Sequence, residues 1–165
     1  MTPTIRRATL DDVDELARLR FQLYTEYTPS IAEPFEAYHE RFTPFAREAL
    51  ADPERWHAWA AEDDGRLVAA MWLQLVPRVP APGRDDPRPF GYLTNAYVEP
   101  SLRGHGLGAA LLAEVVRHCE AHAFELMVAW PVDEAYGFYE QAGFTRPPDP
   151  VVWQLPKRGP SEERP

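Results

Sequence analysis

Cysteine is nearly missing from this chain. Cys119 stands alone, which excludes an intrachain disulfide and a multi-cysteine metal site. It lies among Val115, Val116 and Ala123 at helical spacing, the setting of a buried structural thiol rather than a nucleophile. Lysine is as scarce: Lys157 is the only one among 17 Lys and Arg residues, so arginine carries the positive charge. The formal net charge of −9 argues against nucleic acid as a main partner, because phosphate backbones need a basic face. It is compatible with a cationic substrate such as an amine, and equally with a generic acidic surface that aids solubility. No apolar run reaches 18 residues and Met1–Arg7 carries no apolar leader core, so a soluble, cytoplasmic protein with no membrane partner is expected. No metal is expected.

What is present describes a folded globule. The 165 residues suffice for one domain with a real core, and hydrophobic residues make up 45% of them. Of the prolines, Pro77, Pro80, Pro82, Pro87 and Pro89 fall in one stretch and Pro147, Pro148 and Pro150 in another, which marks loops. Ile5–Ala8 reads as a short first strand. Thr9 with Asp12 resembles a capping box before a helix through Val13, Leu16, Leu19, Leu23 and Tyr27, closed by Pro29. A second helical region runs from about Pro34 to Leu50, where Pro44 is expected to break or kink it. Trp56–Ala61 and Leu67–Val76 flank Asp63-Asp64-Gly65-Arg66, a hairpin signal. The Pro77–Gly91 loop, long enough for a lid or a homodimer contact, leads to a strand over Tyr92–Val98. A helix to about His122, a strand over Glu125–Trp130, a last helix Glu134–Ala142 capped by Asp133 and ended by Gly143, and a strand Val151–Leu155 complete the order. The expectation is one domain over residues 1–155 with a disordered tail over 156–165.

Between the Tyr92–Val98 strand and Ala109-Ala110-Leu111-Leu112 lies Arg103-Gly104-His105-Gly106-Leu107-Gly108. Alternate glycines let the backbone approach a ligand closely. The first amides of the following helix have no internal partners, and the helix dipole adds positive charge there. Strand, glycine turn and helix start make an anion cradle, most often for phosphate. The pattern G-x-G-x-x-G/A of dinucleotide sites is met formally by Gly104–Ala109, with Glu125 about twenty residues on. Context opposes it: Pro100-Ser101-Leu102-Arg103 separate strand from glycines, and Glu125 starts the next strand instead of ending it. A Walker-type loop is excluded because no Gly-Lys-Ser/Thr follows.

At these residues the chain resembles the GNAT superfamily of acetyl-CoA-dependent N-acetyltransferases. The family signature R/Q-x-x-G-x-G/A, with V-x-P a few residues earlier, matches Val98-Glu99-Pro100 and Arg103–Gly108. A second family element, F-Y-E-x-x-G-F on a helix, matches Phe138–Phe144. The resemblance covers nearly all of Ile5 to Leu155. It implies an α/β (α+β) fold: a mixed, mostly antiparallel sheet whose central parallel strands splay, flanked by helices. It implies acetyl-CoA as co-substrate, with the pyrophosphate on loop amides around Arg103, Gly104, His105, Gly106, Leu107, Gly108 and Ala109. The pantetheine arm would lie along Ala96, Tyr97 and Val98.

The implied reaction is direct attack of a primary amine on the thioester in a ternary complex, consistent with the lack of a convincing Ser–His–Asp or Cys–His set. A backbone N–H near Tyr97 or Val98 would stabilise the developing oxyanion. Tyr139 matches the family's general acid, assisting the thiolate by hydrogen bond or proton transfer. No general base is assigned: Glu26 and His57 are reachable in principle, Glu99 is expected to face solvent, and Tyr92, Thr94 and Asn95 are poor bases. Val132 stands where many members carry an asparagine against the pantetheine arm. Gly137 is read as tight helix–sheet packing. Tyr24, Tyr27, Phe45, Trp72 and Trp130 are candidates for the acceptor wall. The alternative function is a non-catalytic acyl-CoA-binding sensory or regulatory module, which would keep the cradle and not need Tyr139.

Overall fold

The computed structural model describes residues 3–83 and 88–146. The chain runs β1 (Thr4–Arg7), α1 (Val13–Tyr27), α2 (Phe35–Ala51), β2 (Trp56–Asp63), β3 (Arg66–Val76), β4 (Phe90–Val98), α3 (Leu107–Ala121), β5 (Leu126–Ala129) and α4 (Tyr136–Gln141). The expected strand Val151–Leu155 and the tail lie outside the described residues.

Local chemistry sets most boundaries. The Thr9 backbone N–H donates to the Asp12 carboxylate at 2.7 Å, opening the turn that leads into α1. Arg6 forks onto the same carboxylate at 2.8 Å and onto Glu62, tying β1 to the start of α1 and to β2. At the β2–β3 hairpin Asp64 and Gly65 take φ of 51° and 77°, the left-handed pair a tight two-residue turn demands. Of the two outcomes expected at Pro44, a break does not occur: α2 runs through it. Its missing N–H orphans the carbonyl of Glu40, and Glu40 is exposed, so water can satisfy that group while Phe42, Ala46 and Ala49 stay buried.

The five strands lie in the order β1-β2-β3-β4-β5, antiparallel except for the parallel pair β4–β5. Helices α1 and α2 cover one face, packing Leu16, Leu19 and Phe42 against Ala70, Trp72 and Tyr97. Helix α3 covers the other, packing Leu111, Leu112 and Val115 against Met71, Leu73 and Leu93. Cys119 belongs to this second core, and burial pushes its thiol up to about 12, so it is an inert structural residue.

Two boundaries differ from the sequence reading. Strand β4 starts at Phe90, so Gly91 is in the sheet, where an added Cβ would lie 2.8 Å from Leu73 Cδ1. The last helix is split into a 3-10 turn, Asp133–Ala135, and the short α4. Asp133 is the first residue of that turn and does not cap it: Val132 is the extended residue before it, and its carbonyl accepts the Ala135 N–H at 2.9 Å.

Candidate active site

The turn between β4 and α3 takes the conformation its glycines allow. Gly104 and Gly106 have φ of 78° and 82°, where a side chain is disfavoured, and Gly106 immediately precedes α3. The leading amides of α3 therefore face open space next to the strand end, a positive pole for an anion. At Gly108, where α3, α4 and β4 converge, an added Cβ would sit in van der Waals contact, 3.4 Å from both Phe138 and Val98.

Arg103 does not project freely into this cradle. Its Nε donates to the Val98 carbonyl at 2.9 Å, and its two terminal nitrogens donate to the Glu26 carboxylate at 2.7 and 2.8 Å. The guanidinium also lies 5.4 Å from the Tyr97 ring centre. Arg103 thus clamps the glycine turn to the end of β4 and to α1. It also holds the Glu26 carboxyl below the usual carboxylate range, so Glu26 is a committed anion rather than a free base.

A bulge in β4 decides which way the strand faces. Trp72 pairs with Thr94 and Ala70 with Tyr97, so two steps along β3 answer three along β4. Asn95, inside the bulge, has φ of 54°, an uncommon conformation for a residue other than glycine. The extra residue reverses the alternation: Leu93 points into the α3 core, and Tyr97 points into the α1–α2 core. Pairing with β5 ends at Leu93–Ala129, which leaves Thr94–Val98 without a ladder partner on that edge among the described residues. The Val98 carbonyl, bonded to Arg103, is turned toward this open edge, and strand geometry puts the Val98 N–H on the same side.

A cavity of about 540 Å³ runs along the open edge, from Arg103, Gly104 and Gly106 past Gly108 and Ala109 to Ala96, Tyr97 and Val98. Tyr139 also lines it. Of the sequence candidates, the side chains of His105 and Leu107 are not in its wall: His105 is exposed, and Leu107 is buried in the α3 core. A second cavity of about 300 Å³ adjoins the first through Leu23, Tyr27, Ala96, Ala135 and Tyr139, which line both. Tyr139 stands at the junction, 8% exposed. No hydrogen bond engages its hydroxyl among the described residues; burial, with Tyr92 nearby, pushes the phenol up to about 12.

The remaining candidates separate cleanly. Tyr24, Tyr27 and Trp130 line the second cavity, as does Val132. Trp72 is 1% exposed and packs with Phe42, Phe45 and Trp56 in the α1–α2 core, while Phe45 is exposed on α2; neither is in the wall of either cavity. His57 is buried on β2, takes a hydrogen bond from Arg7 and packs against His118 of α3, away from both cavities. Glu99 accepts from Arg18 at 2.7 Å and pairs with Arg66 at 3.0 Å, so it is largely withdrawn from solvent. An added Cβ at Gly137 meets nothing within 4 Å among the described residues, which overturns tight packing as its reason. Sequence reading missed Arg20, although Arg20, Tyr24 and Tyr27 at four- and three-residue spacing share one face of α1. It also missed that Asn95 lines the second cavity, because a bulge leaves no mark in composition.

A five-stranded mixed sheet splayed beside a glycine turn, with a tyrosine at the junction of two cavities, defines an acyltransferase-type fold. The chain belongs to the acetyltransferase (GNAT) family, whose model matches residues 16–144. Among curated relatives, an aminoglycoside N(6')-acetyltransferase type 1 of Stenotrophomonas maltophilia is 34% identical over 113 residues, covering 68% of this chain and 65% of that protein. An uncharacterized N-acetyltransferase of Methanocaldococcus jannaschii is 23% identical, covering 87% and 61%. The chain therefore spans slightly less than two thirds of the length of these relatives. Among solved structures, a predicted acetyltransferase of Clostridium acetobutylicum with acetyl-CoA superposes with a TM-score of 0.76 at 20% identity, over 93% of this chain and 96% of that one. A GCN5-related N-acetyltransferase of Ralstonia eutropha gives 0.75 at 23%, over 93% and 98%. At these identities the likeness is one of fold. No helix among the described residues is long and apolar enough to cross a membrane.

Proposed function

We propose that this protein transfers the acetyl group of acetyl-CoA to a primary amine by direct attack. The observation that carries the reading is the pair of cavities meeting at Tyr139, one bounded by the glycine turn and open β4 edge, the other on the far side of the same phenol. The residues fit the co-substrate. The leading α3 amides take the pyrophosphate, and Gly104, Gly106, Gly108 and Ala109 keep side chains out of its way. The open edge at Ala96, Tyr97 and Val98 takes the amide-bearing pantetheine arm as a strand takes a peptide. Bound acetyl-CoA supplies an activated acyl group with a thiolate leaving group.

The amine lone pair forms the new C–N bond, the C–S bond breaks, the amine releases a proton and the thiolate gains one. The Val98 N–H is the donor placed to meet the carbonyl oxygen as it gains charge. With a phenol near 12 and a thiol near ~8.5, complete proton transfer from Tyr139 is uphill by roughly 3.5 pKa units. Tyr139 therefore acts as a neutral hydrogen-bond donor to the departing sulfur, and solvent supplies the proton. Arg103 is a positioning residue, held by Glu26 and holding the turn.

The relative from Stenotrophomonas maltophilia is named as an aminoglycoside N-acetyltransferase, and aminoglycosides are amines. The test combines two measurements. Acetyl-CoA, and not NAD, should raise the melting temperature, since ligand at 100 times its Kd adds ~2.7 kcal/mol. Thiol release from acetyl-CoA should then depend on an added amine from a panel spanning simple alkylamines, amino acids and polycationic kanamycin. Stabilisation with no amine-dependent release would favour the acyl-CoA-binding module instead.

A further inference from the structure

We infer that the amine acceptor carries a carboxylate and an apolar or aromatic body, bound in the second cavity with the carboxylate on Arg20 and the amine toward Ala96 and Tyr139. The inference rests on the transfer reading and specifies its second substrate.

Arg20 is the only charged side chain among the described residues lining that cavity. Every other arginine near either cavity is matched: Arg103 by Glu26, Arg18 by Glu15 and Glu99. No carboxylate pairs with Arg20 among the described residues. Instead its guanidinium stacks 4.2 Å from the Tyr24 ring centre, with the Tyr38 hydroxyl beside it. Stacking fixes the plane of the guanidinium and leaves its fork of N–H donors available, the arrangement that suits a planar, singly charged carboxylate. A phosphate dianion asks for more positive charge than one guanidinium offers.

At the other end, Asn95 lines the same cavity, and its Oδ1 is buried with no hydrogen-bond partner. That oxygen has no surface open to the cavity, so it makes no contact with a bound amine. The β4 bulge, with φ of 54° at Asn95, is what places this side chain there. Ala96 and Tyr139 line both cavities, so an amine beside them is next to the junction where the thioester would arrive. Arg20 lines only the second cavity, one turn along α1 from Leu23, which lines both. That turn is ~4.5 Å of helix rise, a distance a small amino acid spans. Between the two ends the wall is Tyr24, Tyr27, Tyr92 and Trp130, which suits an apolar or aromatic body. A polycation such as kanamycin would bring several ammonium groups against Arg20 with no carboxylate in the described wall to receive them.

The experiment compares kcat/KM for matched pairs, L-phenylalanine against L-phenylalaninamide and β-alanine against β-alaninamide, with kanamycin as the polycation and glucosamine 6-phosphate as the phosphate-bearing amine. The acids should exceed their amides by roughly tenfold to a hundredfold, the range for a hydrogen bond to a charged group. Arg20→Gln should remove that preference, and acetyl-CoA-induced thermal stabilisation of the variant shows that it is folded and loaded. Highest activity on kanamycin, on the amides or on glucosamine 6-phosphate overturns the inference and leaves the transfer reading standing. An acid-to-amide ratio unchanged in Arg20→Gln overturns it as well. Amine-independent behaviour across the whole panel removes the transfer reading itself.

Discussion

Tyr139 illustrates how one residue can be identified from a motif and still need its surroundings to define its role. Phe138-Tyr139-Glu140 pointed to a phenol assisting a thiolate; burial with Tyr92 nearby pushes that phenol up to about 12, which in the proposed reaction suits it to donate a hydrogen bond rather than a proton. Tyr139→Phe keeps the ring packed against Phe138 and Phe144 and deletes the donor. Turnover should fall roughly tenfold to a hundredfold with the KM for acetyl-CoA within about twofold of the parent. Steady-state kinetics at saturating amine decide this, and an unaltered kcat would strip Tyr139 of the role. Glu26, Glu99 and His57 show the opposite limit. Each has the chemistry of a base, but Arg103 occupies the first, Arg18 and Arg66 the second, and the core encloses the third. Those partners lie 77, 81 and 33 residues away for the two glutamates, too far for local spacing to reveal.

At the scale of elements, β4 carries most of the consequence. Its end, its glycine turn and the helix after it were readable because Pro100 stops a ladder and alternate glycines need no tertiary partner to be recognised. The bulge at Asn95 was not readable, since it depends on register against β3. Two glycines outside the turn give a direct test with opposite signs. Gly91 sits where β3, β4 and β5 come together, and a Cβ would meet Leu73 at 2.8 Å and both Phe124 and Met127 at 3.3 Å. Gly91→Ala should destabilise by ~1–3 kcal/mol through overpacking. Gly137 lies within α4 with nothing near a new Cβ, so Gly137→Ala should stabilise by ~0.5–1 kcal/mol. Urea denaturation of the two variants checks both values. Equal shifts would mean that neither packing assignment holds.

Over the whole molecule, the two sheet faces have different pH sensitivity. On the α3 face His57, His118 and His122 stack edge to face or tilted, beside Arg7 and Trp59. Burial first, then the neighbouring positive groups, pushes His57 down to about 3 and His118 to about 4, from 6.5. The unfolded chain therefore binds protons that the folded chain excludes. Stability should be full above pH ~6.5 and fall as pH drops toward 4, by up to ~1.4 kcal/mol per pH unit for each histidine. Asp12, Glu15 and Glu26 are held low by arginine partners, so their contributions disappear only below the ordinary carboxylate range. Chemical denaturation at pH 7.5, 6 and 5 should show the decline, and His118→Leu should roughly halve its slope; a level response over that interval would refute the assignment. By itself the sequence determined the order of elements, the hairpin, the glycine turn and Tyr139, because these rest on local spacing and on residues whose backbone preferences need no partner. Only the tertiary structure decided that Arg103 is a clamp, that Trp72 is core, and that Arg20 and Asn95 line one cavity. Those outcomes depend on strand register and on contacts between distant elements, and long-range pairing is set by the packing of the whole sheet.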